Sequence, residues 1–60
     1  MFSKRQILKS FINGEAISLS IDDVKREATF IRFSQGILTI ADADGNEEQI
    51  PMDRITAITL

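Results

Sequence analysis

VKREATFIRFSQGILTIA, residues 24–41, is the longest apolar-rich run of this 60-residue chain. Within it, Ala28 and Phe30 share one parity of an extended strand, whereas Ile31 and Phe33 have the other. Because successive side chains point to opposite faces of a strand, the apolar face changes sides between Phe30 and Ile31. The pattern predicts a bent or bulged strand, which is how small barrels turn their corners.

The segments around this strand predict four more strands. Residues 34–36 form a short connection to ILTIA at 37–41, a run apolar enough to be buried on both faces. Residues 15–21 alternate between apolar and small or polar side chains, as a half-buried strand does. Two short strands follow, at 47–52 and 55–60, and residues 51–54 could alternatively form a single tight turn between them. The inward side chains of these flanking strands are predicted to include Ile17, Leu19, Ile21, Ile50 and Met52.

The N-terminal residues predict a helix within the segment 1–13, ahead of the five strands in 15–60 of a single domain. Ser3 and Gln6 have the spacing of a capping box, and Gly14 is a candidate helix stop. Helical spacing places four apolar side chains on one side. These are Ile7, Leu8, Phe11 and Ile12.

Size and composition narrow the function classes. A chain of 60 residues buries only about 60% of its unfolded surface, so we expect support from packing or from self-association. The absence of Cys and His excludes disulfides and the commonest transition-metal sites. The acidic pairs Asp22-Asp23 and Glu47-Glu48 are typical of solvated turn and strand residues rather than of convergent catalytic carboxylates. We therefore expect neither enzyme activity nor a cofactor.

Charge is unevenly distributed along the chain. Residues 1–12 contain Lys4, Arg5 and Lys9 and no acid, whereas residues 13–60 contain all nine acids and only four basic residues. The acidic remainder argues against broad nucleic-acid binding but leaves a basic face at the N-terminus. No stretch has the ~18–20 apolar residues of a membrane span, and the N-terminus lacks a signal-peptide core, so we expect a cytoplasmic protein without a membrane partner.

The loop at residues 42–46, DADGN, resembles the start of a calcium loop. However, Glu47 stands where such a loop needs Gly, Gln49 stands where it has an apolar residue, and no helix flanks it. A plain hairpin turn explains the Asp-Gly signal better.

One helix followed by five short-looped antiparallel strands, with one strand strongly bent, predicts a five-stranded SH3-like barrel. This arrangement resembles the Sm-like family, which includes the Sm proteins and bacterial Hfq. The best local match is FSQGI at 33–37, similar to the aromatic-Asp-Gln-aromatic-aliphatic segment between Hfq strands two and three. MDRI at 52–55 stands at the second signature motif, but without its Arg-Gly or Lys-His, and Gly36 replaces an aromatic residue. The resemblance implies a homo-oligomeric ring that binds RNA.

Two groups of residues are candidates for binding RNA or single-stranded nucleic acid. The first is the segment Phe33, Ser34 and Gln35 together with Arg54, where an aromatic ring and a guanidinium could stack bases. The second is the basic face of Lys4, Arg5 and Lys9, which could contact phosphates. The alternatives are a core position for Phe33, pairing of Arg54 with an acid such as Asp53 or Glu48, a solvated helix face, and a ring that serves only as a protein scaffold.

The last strand indicates self-association. ITAITL at 55–60 would leave an unpaired apolar edge, and no Lys follows Arg54 to protect it. Pairing with the strand around residues 48–52 of a second copy would be head to tail and could close a ring. The alternative is that this strand closes its own barrel. The predicted interface residues are Ile50, Met52, Ile55, Ile58 and Leu60.

Overall fold

The computed structural model describes residues 3–59 and shows a mainly β protein with an N-terminal helix, as predicted. The five strands form one antiparallel sheet in the order β4-β3-β2-β1-β5. Met1, Phe2 and Leu60, which the predicted helix and last strand included, lie outside the described residues. The elements are α1 (Lys4–Ser10), β1 (Ala16–Ile21), β2 (Val24–Ser34), β3 (Ile37–Ala41), β4 (Glu47–Pro51), a 3₁₀ helix (Met52–Arg54) and β5 (Ile55–Thr59).

Helix α1 begins as predicted but ends earlier. The Gln6 amide donates to Ser3 Oγ at 3.2 Å and the Ser3 amide donates to Gln6 Oε1 at 3.0 Å, which completes the capping box. Phe11 is already extended, so Gly14, at φ +93°, is not the helix cap; its amide donates to Phe30 O at 2.8 Å. Beyond the helix its periodicity no longer applies. Ile12 is consequently 69% exposed, and the prediction that it joins the buried side is wrong.

The predicted irregularity in β2 is confirmed. Phe30 lies opposite Ile40 and Arg32 lies opposite Thr39, so the register against β3 shifts by one residue between them. The extra residue, Ile31, lets the inward side of β2 change along its length. As a result Phe30 is buried, where its ring packs at 5.6 Å from that of Phe11.

Two tight turns connect the first three strands. Asp22 and Asp23 have φ of +52° and +67°, and Gln35 and Gly36 have φ of +54° and +77°. Two consecutive left-handed residues are the signature of a type I′ turn, whose twist matches that of the strands it joins. The predicted connection at residues 34–36 is therefore a two-residue hairpin turn.

The sheet is rolled, because its two edge strands are consecutive in the chain. Four strand spacings of a flat sheet would separate β4 from β5 by about 19 Å. Only Met52–Arg54 lies between Pro51 and Ile55, and four residue steps span at most about 14 Å. Ile50 and Ile55 are both fully buried in one core. Met52, predicted either to end the strand or to belong to a tight turn at residues 51–54, begins the 3₁₀ helix.

The rolled sheet remains open. β4 pairs only with β3 and β5 only with β1, so within residues 3–59 no ladder joins the two edges. Its core is formed by one face of each strand together with Leu8 of α1. No helix in this part of the chain combines the length and the apolar character that a membrane crossing requires.

Candidate nucleic-acid interface

Arg5 of α1 lies over the ring of Phe33 near the end of β2. The guanidinium carbon is 5.9 Å from the ring centroid, within the range of a cation–π interaction. Phe33 is half-buried and packs against the core, whereas Arg5 is exposed. Phe33 is therefore partly a core residue and partly a surface platform, and α1 brings a basic group to it.

The other basic residues of α1 are placed differently. Lys4 turns toward β5, where its Nζ donates to the backbone oxygen of Ile55 at 2.7 Å. Lys9 is exposed in the last turn of the helix, where a cation also interacts favourably with the helix dipole. Of the three predicted phosphate-binding residues, Arg5 and Lys9 have side chains that make no hydrogen bond within residues 3–59, while the Lys4 side chain is hydrogen-bonded to Ile55.

Arg54 is held by Asp22 rather than by Asp53 or Glu48. Its Nη2 and Nε lie 2.8 and 3.1 Å from Asp22 Oδ2. The Asp22 carboxylate, by hydrogen bonding and by charge, raises the pKa of the Arg54 guanidinium. Arg54 therefore anchors the 3₁₀ helix to the β1–β2 turn. No hydrogen bond, ion pair or ring contact among residues 3–59 connects it to Phe33.

A polar groove lies beside the predicted Ser34 and Gln35, which are both exposed. Its central row is formed by Arg32, Thr39 and Gln49, which are direct cross-strand partners on β2, β3 and β4. The groove encloses about 280 Å³ and has no acidic residue in its lining. Sequence reasoning missed Arg32 and Gln49, because their proximity depends on the register after the bulge.

A second exposed ion pair joins β2 to β4. The Arg26 guanidinium contacts both carboxylate oxygens of Glu48, at 2.9 and 3.1 Å. Arg26 is the register partner of buried Leu19, and Glu48 that of buried Ile40, so the pair lies on the core side of the sheet. Hydrogen bonding to Arg26 lowers the pKa of Glu48 despite the opposing effect of desolvation.

The 42–46 loop is closed by its own carboxylate. Asp42 Oδ1 accepts from the amides of Asp44 and Asn46, both at 2.9 Å. These bonds, that from Asn46 foremost, lower the pKa of Asp42. The carboxylate therefore organises a turn, and within residues 3–59 no group of three or more acidic side chains is placed to hold a metal ion.

The two sheet edges present backbone groups outward. At the two ends of the β3–β4 ladder, the Asp42 amide donates to Asn46 O and the Met52 amide donates to Gly36 O. Alternation along the ladder then directs the backbone groups of Glu47, Gln49 and Pro51 away from β3. On β5, Arg54 O accepts from Asp22 toward β1, so the next carbonyl, Ile55 O, points outward.

The predicted interface side chains divide into two sets. Ile50 and Ile55 are fully buried in the core of a single chain, so their side chains are not available to an interface. Met52 and Ile58 are half-buried and pack against the core from outside, and Leu60 lies outside the described residues.

The fold thus defines a small β protein with a helix-borne basic face beside a half-buried aromatic ring. Comparison with protein-family models, with curated proteins and with solved structures found no match. The chain's own surfaces are what indicate its function.

Proposed function

We propose that this chain is a non-enzymatic module that binds RNA or single-stranded nucleic acid as a homo-oligomer with an Sm-like, SH3-like barrel fold. The observation that carries the proposal is Arg5 over Phe33, beside the exposed turn residues Ser34 and Gln35. Base stacking on aromatic and guanidinium planes, with cations for the phosphates, is the general chemistry of single-strand binding.

The charges around this pair support binding of a polyanion. α1 has no acidic residue, and within residues 3–59 no carboxylate pairs with Arg5 or Lys9. Arg32, whose side chain points to the face of β2 opposite that of Phe33, adds a basic group to the polar groove of Gln35 and Gln49, where amide groups could hydrogen-bond to base edges.

The rolled sheet and its edges support the fold and assembly parts of the proposal. A bent β2, a short turn between β4 and β5, and a capped N-terminal helix are the features that the Sm-like resemblance implies, and the chain has each of them, with a 3₁₀ helix as the turn. The unpaired edges of β4 and β5 could join head to tail between copies, which gives a ring when the rotation closes. Such pairing would also stabilise a domain of this small size.

Fluorescence anisotropy with labelled U-rich and A-rich oligonucleotides, measured at several salt concentrations, tests the proposal. R5M should weaken binding about 5–10-fold and reduce the salt dependence, because it removes a cation that stacks and contacts phosphate. K25M is the matched control, since Lys25 is an exposed basic residue of β2 with no contact to Phe33, and should change affinity less than about twofold. Absence of binding at micromolar protein and low salt, or equal effects of R5M and K25M, would contradict the proposal.

A second candidate is a scaffold that assembles without nucleic acid. It is favoured by the pairing of Arg26 and Arg54 with carboxylates, which neutralises two of the four basic residues that follow α1. This candidate predicts oligomers with no RNA affinity at any salt concentration. A stable monomer at micromolar concentration in sedimentation experiments would refute it and the ring alike.

A further inference from the structure

The two edges of the sheet are not equivalent. On β4 the outward backbone N–H and C=O groups of Glu47 and Gln49 have no backbone partner within residues 3–59. Pro51, which also faces outward, has no N–H to donate. On β5 the outward Ile55 carbonyl is occupied by the Lys4 ammonium at 2.7 Å. The β4 edge is therefore open, while the β5 edge carries a side chain from the opposite end of the chain.

The position of Lys4 is set by the packing of α1. Leu8, one turn further along the same helix, is fully buried in the core and fixes the helix on the rolled sheet. The capping box of Ser3 and Gln6 fixes the first turn, which contains Lys4. The Lys4 contact is thus part of how the helix docks, and not an isolated surface interaction.

We infer that Lys4 guards the β5 edge against strand addition by a second copy of this chain. A strand amide of the incoming copy needs Ile55 O as its acceptor, and an ammonium bound to that oxygen blocks it and adds a charge that must stay hydrated. This inference rests on the self-association in the proposed function. It adds that α1 sets the concentration at which copies pair, by covering one of the two edges.

Sedimentation velocity without nucleic acid tests the inference. The chain contains no Trp or Tyr, so interference optics are needed for detection. K4M removes the donor but keeps an unbranched side chain, and should lower the concentration of half-association about fivefold, the factor for ~1 kcal/mol. K4R retains a donor and should behave as the wild type. K9M removes the same charge from the exposed side of the same helix and should also leave association unchanged.

Far-UV circular dichroism establishes that each variant is folded. K4Q, which removes the ammonium and shortens the side chain, provides a second test of the same contact. Unchanged or weaker association of K4M and K4Q, including monomers throughout the concentration range, overturns the inference. An equally large increase in the association of K9M also overturns the inference, because the effect would then come from the change in net charge. The RNA proposal fails separately, by absence of anisotropy change, so the two failures are distinguishable.

Discussion

Truncation of Leu8 tests how α1 is held on the sheet. Leu8 is 0% exposed and is the only α1 residue in the buried core of the described chain. Leu8→Ala removes roughly three carbon groups at about 0.8 kcal/mol each and leaves a partly collapsed cavity, so we expect a loss of about 3 kcal/mol in the free energy of unfolding. For a domain of this size that is a large part of the roughly 3–9 kcal/mol expected in total.

Urea denaturation followed by far-UV circular dichroism gives the measurement. Ile12→Ala is the matched control, because Ile12 is also aliphatic and close to the helix but is 69% exposed. We expect it to cost less than about 0.5 kcal/mol. A loss below about 1 kcal/mol for Leu8→Ala, or equal losses for the two variants, would refute the docking of α1 through Leu8.

Two further predictions concern the β2–β3 turn and the Arg26–Glu48 ion pair. Gly36→Ala should lower the free energy of unfolding by about 1 kcal/mol because φ is +77°, although a Cβ there would meet no atom within 4 Å. Gln35→Asn, at φ +54°, should raise the free energy of unfolding by about 0.5 kcal/mol. Thermal melts that place the two variants in the opposite order of stability would contradict the type I′ assignment. Arg26 holds the pKa of Glu48 below its ordinary value of 4.5, so the ion pair stabilises the fold above that pH and its contribution is lost as pH falls through the folded pKa. The difference in unfolding free energy between wild type and Glu48→Gln should therefore shrink between pH 6 and pH 3 in urea titrations, and a constant difference would show that the pair does not contribute.

The strands could be predicted from the sequence because burial alternates locally. Residues 15–21 and the parity change at Phe30 and Ile31 each show their pattern within a few positions. The end of α1 could not be predicted in the same way. Gly14 carried a helix-stop signal, but its amide is used by Phe30 O on a different strand, and the backbone had already become extended at Phe11.

The candidate site shows the same division between local and long-range information. Arg5 and Phe33 could each be selected by residue type, but their contact depends on how α1 docks. The alternative in which Arg54 pairs with an acid is confirmed, but the acid is Asp22 of the β1–β2 turn, which is distant in sequence, rather than Asp53 or Glu48. The contact between Lys4 and the Ile55 carbonyl likewise joins residues far apart in the sequence, so local pattern could not predict it.

The strand order also has a consequence for the route by which the chain folds. β1 to β4 form three successive hairpins, whose contacts close short loops and can form early. β5 pairs with β1, as in Ser18 with Thr59, and must wait until the intervening strands have curved around the core. We expect β5 to dock last, so that an early four-stranded species exposes the outer edge of β1. Substitutions in β5 should therefore mainly accelerate unfolding and leave the folding rate nearly unchanged.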